Sequence, residues 1–341
     1  MKKFSKKIQS VYSMRNTNAL KHKLATLNPY HSVYKLCKDT VEEGSILVGV
    51  KNTEVIPFEM ITILEARNYT LHTIDTCSFH GRAIDLQLIN PITGRYMSGS
   101  SSGSAINVFL NINDIAIATD GGGSVLAPAI SLHLFGFISP LLMTNHVQKF
   151  QKQSTDGILF HPSLGFMCKD YSLLKKTIEI FLMNKELEHD VVIFKDTNEE
   201  YSFPFPTTSI SLLDALSPRE TLLPFLKELL VNCTFLIVKE GPIDVYGFGD
   251  SIFGHFNEET KAIQRKANKG YLRVVNMANA TAIVIPRKDL ATGWLLVCES
   301  KMSKITTMLR YAPSLVEEPD SLVSCYFDDL SAYFEGGFKK G

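Results

Sequence analysis

The sequence carries no net charge, since 35 lysines and arginines stand against 35 aspartates and glutamates. There is no overall field to draw in a polyanion, so nucleic acid is not expected as a partner, nor is an anionic membrane. Metal-type cysteine spacing is missing too. Cys37, Cys77, Cys168, Cys233, Cys298 and Cys325 are scattered without a CxxC pair or a His/Cys pattern suited to zinc. They read as reduced core thiols of a cytoplasmic protein. His80 with Cys77 in CSFH lacks a second donor pair and reads as packed or exposed. No acidic residue precedes Asp39, which leaves the N-terminus basic with Lys2, Lys3, Lys6, Lys7, Arg15, Lys21 and Lys23. No apolar h-region follows these residues, which argues against secretion. The longest apolar tract, Leu126 to Met143, is interrupted by Pro128, His133, Gly136 and Pro140 and does not suit a membrane span.

What remains is an ordinary globular composition, 45% hydrophobic and 21% charged over 341 residues, enough to bury a large core. Phe4 to Leu36 reads as amphipathic helix, broken at Asn28-Pro29-Tyr30 with a second short helix after the break. A basic arm of this kind also suits a presequence or a membrane-surface segment; the simpler reading is a solvated helical arm, residues 1–40, packed on a domain of residues 41–341. Short apolar runs read as buried strands at Gly44–Val50, Tyr69–Asp75, Ile112–Ala118, Leu134–Ile138, Val191–Phe194 and Cys233–Val238. Helical patterns occupy Met60–Ala66 and Tyr171–Met183, the latter with Asp170 as N-cap. Residues 196–206 read as loop, and Leu212–Leu230 as helix interrupted at Pro218 and Pro224.

Two small-residue turns carry the chemistry. Ser98-Gly99-Ser100-Ser101-Ser102-Gly103-Ser104-Ala105 precedes the apolar segment, and Ala118-Thr119-Asp120-Gly121-Gly122-Gly123-Ser124 follows it. Glycines before Ser124 let the backbone turn sharply and aim N–H groups at one point, as a developing oxyanion requires. A P-loop would need a lysine directly after the glycines, where this chain has Ser124-Val125-Leu126, so a phosphate-binding reading falls away.

These blocks resemble the amidase signature family, whose pattern runs GGSSGGSA, an apolar stretch, then GTDxGGSxRxPA. Ser98 to Ala105 and Ala118 to Ala129 align with the two blocks without a gap. Gly49-Val50-Lys51-Asn52 resembles the family's lysine-bearing strand end, and Asn276 to Pro286, NMANATAIVIP, its NLAGLPAISVP block. The resemblance implies an α/β fold with a single mixed, mostly buried sheet covered by helices on both faces, in a compact variant. It also implies an amide or ester hydrolase acting through an acyl-enzyme on a small-molecule or peptide-like substrate, with no metal and no cofactor. Ser124 would be the nucleophile, Ser100 the relay on a cis peptide after Gly99, and Lys51 the base, with Gly121, Gly122, Gly123 and Ser101 around the oxyanion and substrate. A second copy or a protein partner is left open.

Three departures favour a rival reading, a catalytically inactive binding subunit or scaffold. Leu126 stands in place of the usual arginine, Ser98 and Ser102 replace glycines, and Asn52 replaces an acid. The loops between Lys51 and Ser100 and through the middle of the chain are short for the family, so the substrate is not legible.

Overall fold

The computed structural model describes residues 17–154, 156–182, 186–245, 257–259, 262, 269–318 and 321–334. Most of the basic arm's charges, from Lys2 to Arg15, lie outside the described residues. In chain order the strands are β1 (Val33–Leu36), β2 (Ile46–Lys51), β3 (Tyr69–Asp75), β4 (Ile84–Ile89), β5 (Tyr96–Ser98), β6 (Ile115–Asp120), β7 (Phe135–Ser139), β8 (Lys152–Gln153), β9 (Leu159–Phe160), β10 (Ser163–Cys168), β11 (Ile193–Asp196), β12 (Thr208–Ile210), β13 (Phe235–Glu240), β14 (Ala280–Pro286) and β15 (Gly293–Glu299). The principal helices are α1 (Asn18–Leu27), α2 (Phe58–Glu65), α3 (Ser102–Phe109), α4 (Leu126–Ser131), α5 (Tyr171–Phe181), α6 (Arg219–Val231) and α7 (Met302–Tyr311).

An 11-stranded sheet runs in the order β1-β3-β2-β6-β10-β7-β14-β15-β13-β11-β12. It is mixed: β2 lies parallel to both β3 and β6, whereas β10 pairs antiparallel with β6 and β7. The strands alternate with period two between two cores. On β6, Ile115 and Ile117 enter one cluster and Ala116 and Ala118 the other; on β14, Ile283 and Ile285 oppose Ala282 and Val284. Because both faces are buried, such strands read as continuous apolar runs rather than alternating ones. The small side chains of the alanine-bearing face let α3 and α4 sit close to the sheet, joined there by Leu24 of α1 and by Leu222, Leu226 and Leu230 of α6. Met60 and Leu64 of α2, Leu174 and Ile178 of α5, and Ile305 and Met308 of α7 cover the other face. This is the α/β arrangement expected above, one sheet with helices on both sides. No helix among the described residues is long and apolar enough to cross a membrane.

Two local expectations need correction. The chain after Asn28 is a strand, not a second helix. Asn28 ends α1 in the left-handed region, and its side-chain amide then donates to Val33 O at 2.8 Å and accepts from Val33 N–H at 3.0 Å. That holds the next residues extended, and β1 pairs antiparallel with β3. Residues 18–36, on the arm side of the expected boundary at residue 40, thus supply a packed helix and an edge strand of the sheet. Just past the expected loop, β12 adds parallel to β11, a strand that no sequence pattern marks. The second correction is Pro224, which sits inside α6 without ending it. The buried stripe Leu222, Leu226 and Leu230, repeating every four residues, outweighs the one hydrogen bond that proline removes.

Candidate active site

Lys51 ends β2, between β3 and β6, where the parallel ladder delivers its side chain under the turn that follows β6. The lysine is buried, 5% exposed, and its Nζ donates to Ser100 Oγ at 2.6 Å and to Thr119 Oγ1 at 3.0 Å. Burial lowers its pKa to about 8, the charge of Lys152 pushes the same way, and Cys77 and Asp120 oppose. An amine in this condition exchanges its proton near neutral pH, as a base requires.

Ser100 sits in the turn between β5 and α3. Gly99 makes that turn with φ of +85°, and a Cβ there would stand 2.5 Å from the Pro128 ring of α4, so only glycine suits. The Gly99 N–H donates to Ala83 O at 2.7 Å, and Ser100 O accepts from Ser78 N–H at 3.3 Å, which pins the turn on both sides. The peptide before Ser100 is trans, contrary to the expectation from resemblance; the cis bond among the described residues is Gly241–Pro242. It is the positive φ of Gly99 that turns the chain toward Lys51.

The glycine turn is held by Asp120, whose carboxylate accepts from the N–H groups of Gly123 at 2.7 Å, Val125 at 2.6 Å and Leu126 at 3.3 Å. Burial raises the Asp120 pKa although these amides favour the carboxylate. The Gly123 amide is therefore committed to Asp120. The amides of Gly121, Gly122 and Ser124 have no hydrogen-bond acceptor among the described residues. Gly123 also carries φ of +89° and packs on Leu272, whose own N–H donates to buried Glu240 at 3.3 Å. Asn276, from the fourth resembling block, donates to Gly121 O at 3.3 Å and His161 O at 3.0 Å, tying the turn to the strand that follows.

A cavity of about 530 Å³ opens over these groups, within the range of small-molecule sites. Lys51, Ser100, Gly121, Gly122 and Ser124 all line it. Two expected site residues do not. Ser101 is fully buried with its hydroxyl donating to Thr119 O at 3.3 Å, and Gly123 faces Leu272. No hydrogen bond joins Ser100 to Ser124, and catalytic contacts of this kind often close only around substrate. Leu126, where the resembled pattern has arginine, is fully buried on α4 and packs in the core. Cys77 and His80, read above as packed or exposed, lie on the cavity lining.

Comparison with known proteins agrees with this architecture. The profile of the family described as Amidase matches residues 84–141, the span from β4 past the glycine turn. Amidase 1 of Oryza sativa subsp. japonica is 33% identical over 89 residues, 26% of this chain and 19% of that protein. Amidase 1 of Arabidopsis thaliana is 33% identical over 105 residues, 29% of this chain and 22% of that protein. The matched stretches thus span about a fifth of these curated relatives. Among solved structures, the glutamyl-tRNA(Gln) amidotransferase protein from Thermotoga maritima superposes with a TM-score of 0.62 at 12% identity, over 89% of this chain and 94% of that one. The segment from residue 84 to 141 is thus similar in sequence to the Amidase family, and the chain as a whole shares its fold with the Thermotoga maritima amidotransferase protein.

Proposed function

We propose that the chain hydrolyses an amide, or ester, bond of a small-molecule or peptide-like substrate, with Ser124 as nucleophile, Ser100 as proton relay and Lys51 as base. The observation that carries this reading is the 2.6 Å contact between the buried Lys51 amine and Ser100 Oγ, at the wall of a cavity that Ser124 also lines. In the first step Ser124 gives its proton to Ser100 while Ser100 passes its own to neutral Lys51, and the Ser124 oxygen bonds to the substrate carbonyl carbon. The oxyanion meets the amides of Gly121, Gly122 and Ser124, which Asp120 orients by holding the neighbouring ones. As the tetrahedral centre collapses, the carbon–nitrogen bond breaks and the leaving amine takes the proton back from Lys51 through Ser100. Water, deprotonated along the same route, then attacks the acyl carbon, and Ser124 leaves with its proton restored.

Covalent capture tests the assignment. A fluorophosphonate is expected to form one adduct, recovered by mass on the peptide that contains Ser124. A folded chain that takes up no probe would favour the scaffold reading, and an adduct on a different serine would overturn the choice of nucleophile.

A further inference from the structure

The charges around the cavity are lopsided in a chain whose total is zero. Among the described residues, Arg82, Lys152 and Arg219 line it beside Lys51, the proposed base, against a single carboxylate, Asp120. That carboxylate is already occupied by three backbone amides. Arg219 is partly offset by Asp156 at 3.3 Å. Arg82 and Lys152 meet no carboxylate within ion-pair distance among the described residues, so their charge is unspent toward the cavity.

Their positions are set by the same contacts that build the reacting centre. Arg82 immediately precedes Ala83, whose carbonyl accepts the Gly99 N–H, and Ser78 Oγ donates to Arg82 O at 2.6 Å. The guanidinium is thereby carried on the loop that also pins Ser100. Lys152 pairs in register with Phe160 across the β8–β9 hairpin, and the Phe160 ring covers Gly121 so closely that a Cβ there would lie 2.6 Å from it. Lys152 is thereby carried on the Gly121 side, and its charge pushes the Lys51 pKa down. Both side chains are exposed at the cavity, one on the relay side and one on the oxyanion side.

We infer that the substrate carries a carboxylate in addition to its scissile amide, and that Arg82 and Lys152 are the residues that select it. This rests on reading the cavity as a substrate site, and names the class of amide it takes. A neutral amide would leave the two cations facing each other's field with no counter-charge, whereas an amide with a free carboxylate satisfies them with charge-assisted hydrogen bonds. The cavity volume of about 530 Å³ suits a short amide acid rather than a folded protein.

The test is calorimetric binding to the Ser124→Ala chain, which cannot turn over its ligand by the proposed route, using succinamate and its neutral counterpart succinamide at low ionic strength. Succinamate is expected to bind roughly ten-fold tighter or better. In the Arg82→Gln/Lys152→Gln double variant that preference is expected to vanish while succinamide binding stays unchanged. Both substitutions fall on exposed side chains, so an unaltered thermal midpoint is expected to confirm folding. Equal binding of the two compounds, no binding of succinamate, or a preference that survives in the double variant would overturn the inference. Fluorophosphonate capture by the unmodified chain needs no carboxylate, so failure of the selectivity and failure of the hydrolase reading give different results.

Discussion

Alanine at position 124 is expected to reduce turnover of a small amide by at least about 10⁴-fold, the scale seen when a covalent nucleophile is removed. The side chain has little else to do. Ser124 Oγ makes no hydrogen bond among the described residues, and the fold around it is held by Asp120, Gly123 and Leu272. Stability should therefore change by no more than about 0.5 kcal/mol, the usual range for a site without a structural role. Turnover and a denaturant midpoint measured on the same preparation check both halves. Substantial residual turnover at unchanged stability would remove Ser124 from the mechanism.

The second large effect is at Lys51. Methionine has nearly the same length and fits a buried site, yet cannot accept a proton. Lys51→Met is expected to lower turnover by about 10²- to 10⁴-fold, the contribution of a positioned general base. The substitution also leaves the Ser100 and Thr119 hydroxyls without the Lys51 amine. Ser100→Ala interrupts the same route one atom closer to Ser124. If the three residues act as one unit, adding Ser100→Ala to Lys51→Met should cost little beyond either single change. Independent, multiplying losses would mean that Lys51 and Ser100 act separately.

Much of this site could be read from the chain because its parts lie at the ends of short, strongly apolar strands. Lys51 follows the run from Gly44, and the structure makes Ile46–Lys51 a central strand ending at the lysine. The glycine turn follows β6 in the same way, and Asp170 caps α5 by accepting from Leu173 N–H at 2.8 Å, as its position suggested. Each of these is a local signal. The misses are contacts between segments distant in sequence. β1 became a strand through its ladder to β3, and β12 through its ladder to β11, neither of which leaves a periodic mark in so few residues. Side-chain direction was hidden for the same reason. Ser101 and Gly123 belong to the two signature blocks, but Thr119 and Asp120 draw their polar groups inward, and only the folded turn reveals which amides stay open. The cations Arg82 and Lys152 lie in stretches that show no motif, and come together only because two separate loops close over the same cavity.

If an uncharged lysine, acting through a serine, sets the reactivity of Ser124, the rate of fluorophosphonate capture must follow the protonation of that lysine. Lys51 has its pKa lowered to about 8 by burial, so its neutral fraction grows as pH rises and falls about ten-fold for each unit below that value. The capture rate should climb with pH, reach half its maximum near 8 and level off above it. In Lys51→Met the residual rate should lose this dependence. A rate in the unmodified protein that is flat across the same interval, or one whose midpoint persists after Lys51 is replaced, would remove Lys51 from the mechanism.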